Sequence, residues 1–209
     1  RQEALEARPF WESGGWLAEE YVPFVRELAV MVVVAADGKA VCFPTMETVQ
    51  TKNVCDLVFP CLTDGREVAV SACRALGGAG LYGVELFEHP DGRVLVNEVA
   101  PRPHNSGHYT LDWGGISQFE AHIRVVMGLP VTEPQGAPTC MANLLGPSGP
   151  GCYRTALAAT LNEHPDIFVH WYGKSHKPER KLGHINAHGK DARVRVEAAR
   201  RTFYEAWSS

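Results

Sequence analysis

The sequence predicts an α+β protein in two units: an antiparallel sheet with helices, then a small mixed α/β unit. Three observations carry that prediction. β-branched runs separated by Gly-bearing turns fill much of the chain before residue 100. Helical spacing appears only in isolated stretches. A proline- and glycine-bearing segment, Thr132 to Pro138, is the best linker, and it splits the chain near residue 134 into units 1–134 and 135–209.

The elements follow in order. Trp16 to Val22 reads as a strand. Glu27 to Ala35 is a second strand and Lys39 to Phe43 a third, with Asp37-Gly38 as the hairpin turn between them. Arg66 to Leu76 has helix-forming composition and stops at Gly77-Gly78. Gly83 to Phe87 and Val94 to Val99 are short strands around Pro90-Asp91-Gly92. Ile116, Phe119, Ile123 and Val126 or Met127 fall at helical spacing, ended by Gly128 and Pro130. Beyond the linker come a strand (Met141 to Leu145), a helix (Tyr153 to Leu161), two strands (Phe168 to Tyr172, His184 to Ala187) and a helix from Asp191 to Trp207.

The bulk numbers narrow the function classes. With 209 residues, 45% hydrophobic and 21% charged, the chain has an ordinary globular composition. A net charge of −4 gives no sign of a nucleic-acid or membrane-surface protein. No apolar run reaches the roughly 18 residues of a membrane span. The six cysteines form no CxxC pair and mostly sit among apolar residues, which favours free thiols in a reducing compartment. The nine histidines are scattered, without paired-ligand spacing. The chain opens on Arg1, without Met or signal peptide, which suits a processed chain or one cut from something longer.

Chemistry concentrates in the hairpin from Gly83 to Glu98. If Asp91-Gly92 forms a two-residue turn, Glu85 stands opposite Glu98 on one sheet face. Carboxylates roughly 5 Å apart repel by about 3 kcal/mol at an effective dielectric near 20. A cation between them, or a proton on one, relieves that repulsion. Oxygen ligands without a Cys or His partner favour magnesium. A longer loop with another register would instead leave two surface glutamates.

The loop after Glu98 is stiffened by Pro101 and Pro103 and rich in donors: Arg102, His104, Asn105, Ser106 and His108. A rigid, donor-rich loop beside a metal pair suits an anionic substrate. A second basic group, Lys174 with Arg180-Lys181, stands at the two ends of one hairpin loop. It reads either as a phosphate site or as a solvated basic hairpin.

The stretch NEVAPRPHNSGHY closely resembles the signature of N5-carboxyaminoimidazole ribonucleotide synthetase, the ATPase component of aminoimidazole ribonucleotide carboxylase and a member of the ATP-grasp superfamily. WLAEEYVPFVREL (16 to 28), CDLVFP (55 to 60), GVELF (83 to 87), SQFEAHIR (117 to 124), NLLG (143 to 146), HWYGK (170 to 174) and ERKLGH (179 to 184) extend the resemblance along nearly the whole chain. It implies the C-terminal part of an ATP-grasp domain followed by the family's small C-terminal domain. It also implies a cytoplasmic ligase that phosphorylates bicarbonate with ATP and carboxylates the amine of aminoimidazole ribonucleotide.

Residue by residue, Glu85 and Glu98 match the family's magnesium ligands. Glu19, Glu20, Tyr21 and Val22 match the hinge that meets adenine, with Val22 and Phe24 as an apolar wall, and Glu27 matches the ribose ligand. Arg102, His104 and Asn105 match the bicarbonate and carboxyphosphate region. Lys174, Arg180 and Lys181 match the group holding the nucleotide's phosphate, and Lys177 is expected to be exposed. A homodimer, and a mutase fused or separate, are compatible with the resemblance.

This chain departs from the family's pattern. The doubly wound domain and the ATP-contacting lysines that open the family chain have no counterpart here. Gln50 stands where His is usual. The stretch between Pro60 and Gly77 is several residues short, and Gly114-Gly115 replaces a small or Cys-containing pair. Another ATP-grasp carboxylate–amine ligase, or a non-catalytic nucleotide- or partner-binding remnant, are the alternatives.

Overall fold

In a computed structural model, residues 14–15 and 17–207 are described. The charged opening stretch and Trp16 lie outside them. The elements are β1 (Arg26–Val34), β2 (Ala40–Cys42), β3 (Met46–Thr51), β4 (Val54–Pro60), α1 (Arg66–Leu76), β5 (Gly80–Glu88), β6 (Val94–Ala100), a 3-10 helix (Asn105–Leu111), α2 (Gln118–Val126), β7 (Thr139–Leu145), α3 (Tyr153–Glu163), β8 (Phe168–Trp171), β9 (Lys181–His188) and α4 (Ala192–Glu205).

The nine strands join one antiparallel sheet in the order β6-β5-β1-β3-β4-β7-β9-β8. β2 pairs with the C-terminal half of β1, beside β3, which pairs with the N-terminal half. The sheet runs across the proline-bearing segment because Leu57 and Val58 of β4 pair with Ala142 and Met141 of β7. Hydrophobic burial follows the same continuity: Leu57 and Phe59 share a core with Leu144, Ile185, Val196 and Phe203. On the other strands, α1 covers the face of Leu28, Val30, Val84 and Leu86. The 3-10 helix and α2 cover the opposite face, where Met31, Val33, Tyr109, Ala121 and Val125 meet. Alternation along β1 divides its residues between these two faces.

Several expectations need correction. Residues 17–22, expected as a strand, are irregular and mostly exposed, with Leu17 at 80% and Tyr21 at 83%. A strand persists only where a neighbour accepts its hydrogen bonds, and among the described residues none lies beside this segment. Both Asp-Gly hairpins have three-residue loops. His89 donates its N–H to Arg93 O, and Ala35 donates to Lys39 O. Gly38 and Gly92 take the left-handed conformation at φ 82° and 86°. β3 and β4 were not expected. Their two-residue turn, Lys52-Asn53, has both residues at positive φ and no glycine to announce it. All six cysteines are free; Cys55, Cys73 and Cys140 are buried, while Cys152 is exposed.

Candidate active site

Glu85 does stand opposite Glu98, but for a reason other than the turn arithmetic. The longer loop sets Glu88 opposite Val94, Phe87 opposite Leu95 and Leu86 opposite Val96. A bulge between Glu85 and Leu86 then advances the register by one residue. The bulge restores the face that the longer turn would have reversed. Glu27 shares that face, two residues along β1 from Ala29, the partner of Glu85.

His104 joins the pair. One ligand atom from each of Glu85, Glu98 and His104 lies within 4.8 Å of the others, and His104 Nε2 is 3.6 Å from Glu85 Oε1. Gly83 makes this approach practicable. A Cβ there would stand 2.4 Å from His104 Cβ, so only glycine lets the loop lie against the sheet. Burial, reinforced by the Glu98 and Glu27 charges, pushes the Glu85 carboxyl above the ordinary range. Burial likewise raises Glu27, opposed by a hydrogen bond from Gln50, and its Oε2 is buried without a partner. His104 is held below its ordinary value by burial first and by Arg102 second. Crowded carboxylates with a raised proton affinity and an unpartnered oxygen suit a hard divalent cation.

The loop beyond His104 meets the C-terminal strands. Asn105 and Asn143 exchange amide hydrogen bonds at 3.1 and 2.8 Å, and Asn143 also donates to Cys55 O at 2.8 Å. Lys181 donates from Nζ to Asn105 Oδ1 at 3.2 Å. The half-buried Lys181 is lowered by burial and feels both Glu85 and Lys174. The three expected cations are not equally gathered. Lys174 lies 4.9 Å from the centre of the Tyr172 ring. Arg180 turns away to donate to Ser175 Oγ at 3.0 Å. Lys177 is exposed. Arg102 is exposed and donates to Pro103 O at 3.1 Å. Glu19, Glu20 and Tyr21 are exposed and Val22 half-buried; Phe24 stacks on Phe87 with ring centres 4.4 Å apart.

Sequence reasoning missed three residues of this neighbourhood, Gln118, Asn143 and Tyr172, while His108 was already among the donors read from the loop after Glu98. Gln118 and Asn143 are fully buried polar side chains. A polar residue inside an otherwise apolar helix face or strand was the signal available for both.

A nucleophile-free cluster of carboxylates, an imidazole and a lysine on an antiparallel sheet fits phosphate chemistry on a bound nucleotide. Residues 2–119 match the model of the ATP-grasp domain, and the chain belongs to the ATP-grasp family. Residues 139–198 match the Phosphoribosylaminoimidazole carboxylase C-terminal domain. The chain is 42% identical over 197 residues to the phosphoribosylaminoimidazole carboxylase of Schizosaccharomyces pombe, covering 87% of this chain and 34% of that protein. It is 40% identical over 195 residues to the N5-carboxyaminoimidazole ribonucleotide synthase of Mycobacterium tuberculosis, covering 88% and 46%. The N5-carboxyaminoimidazole synthase of Aspergillus clavatus, solved with ADP and 5-aminoimidazole ribonucleotide, superposes with a TM-score of 0.80 at 33% identity, covering 89% of this chain and 53% of that one. The chain therefore spans about a third to a half of the length of these curated relatives.

Proposed function

We propose that the protein containing this chain is an ATP-dependent ligase that carboxylates 5-aminoimidazole ribonucleotide with bicarbonate, giving N5-carboxyaminoimidazole ribonucleotide in purine biosynthesis. The observation that carries the reading is the Lys181–Asn105 hydrogen bond. It ties a cation suited to a nucleotide phosphate to the loop that bears His104, beside Glu85 and Glu98. Residues 1–134 supply the ATP-grasp part and residues 135–209 the small C-terminal unit. The protein is cytoplasmic, and a homodimer or a mutase partner fits the same reading.

In the reaction, bicarbonate attacks the γ-phosphorus of ATP and ADP leaves. The substrate amine then attacks the carboxyl carbon of carboxyphosphate, its C–O bond to phosphate breaks, and inorganic phosphate leaves. Glu85 and Glu98 would hold Mg2+, which would supply charge neutralisation on the ATP phosphates. Residues Glu19 to Val22 meet adenine and Glu27 the ribose. Arg102 pairs with the bicarbonate and carboxyphosphate anions, while His104 and Asn105 hydrogen-bond them and help to exclude water. Lys174, Arg180 and Lys181 hold the ribonucleotide phosphate.

The test is ADP release by the full-length protein in bicarbonate, with and without aminoimidazole ribonucleotide, together with detection of the carboxylated product. Release that requires a different amine acceptor makes it another ATP-grasp ligase. No metal-dependent turnover at all makes it a non-catalytic remnant.

A further inference from the structure

Gln118, the first residue of α2, is fully buried and belongs to none of the groups assigned above. Its side-chain amide closes a two-point pair with one backbone residue. The His104 N–H donates to Gln118 Oε1 at 2.9 Å, and Gln118 Nε2 donates to His104 O at 2.8 Å. That pairing fixes which end of the amide is which, because an N–H must meet oxygen and a carbonyl must meet nitrogen. Nε2 has a second hydrogen, and His108 Nδ1 stands 2.8 Å away. An NH2 group can only donate, so His108 Nδ1 accepts. The proton of the neutral ring therefore sits on Nε2, on the ring edge away from Gln118.

The surroundings agree. Burial holds the His108 imidazole down to about 4, which keeps the ring neutral near pH 7. The charged or titratable neighbours that act on it include His104, Lys181, His170 and Lys174, and the His184 ring centre lies 5.2 Å away. The His108 ring stands 6.3 Å, edge on, from the Tyr172 ring, over which Lys174 lies at 4.9 Å, so the residue links the loop assigned to carboxyphosphate with a lysine assigned to the nucleotide phosphate. Gln118 is itself tightly held. Its backbone N–H donates to Thr110 Oγ1 at 2.9 Å, and a Cβ on Gly107 would stand 2.6 Å from its Oε1.

We propose that Gln118 is a positioning residue that sets two groups at once: the backbone of His104, and the Nε2–H tautomer of His108, which contacts the ribonucleotide between its amine and its phosphate. The proposal rests on the function given above and adds two residues to its site. Neither residue is a ligand of the metal or of ATP, so their loss should spare ATP binding. It should instead loosen the step in which carboxyphosphate waits for the amine.

The experiment uses the full-length protein carrying Gln118→Met, of similar length but without hydrogen bonds, and Gln118→Glu, which keeps an acceptor for the His104 N–H. Two readouts are taken. The first is ATP hydrolysed per carboxylated product. This should rise about tenfold or more in Gln118→Met with the KM for ATP unchanged, since small misplacements at reacting groups carry large rate costs. The second is the 15N shift pair of the His108 ring, which should report an Nε2–H tautomer in the wild type and a mixture in Gln118→Met. An unchanged coupling ratio and an unchanged tautomer in both folded variants would overturn the proposal. If Gln118→Met fails to fold, Gln118→Glu and the wild-type ring shifts still decide it; a wild-type Nδ1–H tautomer sinks the proposal. A His104→Ala control separates the two levels. Uncoupling by His104→Ala without uncoupling at Gln118 defeats this inference alone, whereas normal coupling in His104→Ala defeats the assignment of that loop.

Discussion

Lys181 and Asn105, 76 residues apart in sequence, are joined by a hydrogen bond of 3.2 Å from Nζ to Oδ1. The first residue of β9 thereby meets the loop that leaves β6. Asn105 is held in turn by Asn143, and Asn143 by Cys55 O, so the contact is anchored to two strands. Lys181→Ala in the full-length protein should raise the KM for aminoimidazole ribonucleotide roughly thirtyfold, the equivalent of about 2 kcal/mol for a charge-assisted bond. The KM for ATP should barely move. Steady-state kinetics with each substrate varied in turn reads the split, and equal effects on both would assign the lysine to structure or to ATP.

Glu98 stands opposite Glu85 within reach of one cation. Glu98→Gln removes one charge while keeping size and should cut turnover by about a hundredfold or more, as expected for a group stabilising phosphoryl transfer. The exposed strand position should leave the thermal midpoint within a few degrees of the wild type. ADP release and circular dichroism melting measure the two effects. Near-normal turnover would remove the pair from the metal assignment.

Arg102 is exposed and donates to a backbone carbonyl, which leaves its planar fork available to an anion. Arg102→Lys keeps the charge and loses the fork. ATP hydrolysis should continue while product falls, lowering the ratio of product to ADP several-fold. A ratio identical to the wild type would count against a carboxyphosphate contact.

Gly107 faces Gln118 Oε1 at 2.6 Å and Met31 Cγ at 2.8 Å from where a Cβ would sit. Gly107→Ala should destabilise the fold by about 1–3 kcal/mol, the usual cost of overpacking. Urea unfolding with an unchanged m-value measures it. An unaltered midpoint would mean that the 3-10 helix has room to shift.

Burial depresses the His108 imidazole to about 4 from an ordinary value near 6.5, and depresses His184 more strongly to about 2. As pH falls below about 6.5 the unfolded chain binds these protons first. The stabilisation is thus complete above 6.5 and is lost as pH falls toward 4, worth up to about 3 kcal/mol for His108. Glu85 and Glu27, raised by burial, act with the opposite sign and regain stability as pH falls through their folded values. The two histidine shifts should dominate, so the urea midpoint should fall between pH 6.5 and pH 4.5. A flat midpoint across that range would show that the histidines are solvated.

By itself the sequence determined most of the element types and singled out Glu85 and Glu98, but it showed neither β3 and β4 nor the irregular course of residues 17–22. Periodicity in β1, helix composition in Arg66–Leu76 and glycine at the hairpin turns are local signals, and local sterics decide them. It also marked the helix over Gln118–Val126, yet the stripe that made it legible faces outward. Ile123, Val126 and Met127 are 57%, 67% and 68% exposed, while Gln118, Ala121 and Val125 are buried. Which face turns inward depends on close approach to the sheet at Gly107 and Met31, and that is a tertiary quantity. The same holds for the hairpin, where loop length and bulge each shift the register and offset each other. It holds most for Asn105, Asn143 and Lys181, spread over 77 positions and joined by bonds of about 3 Å. A sheet that continues from β4 into β7 brings them together. Strand order is set by which long-range pairings bury the most apolar surface, and no local pattern in the chain encodes that choice.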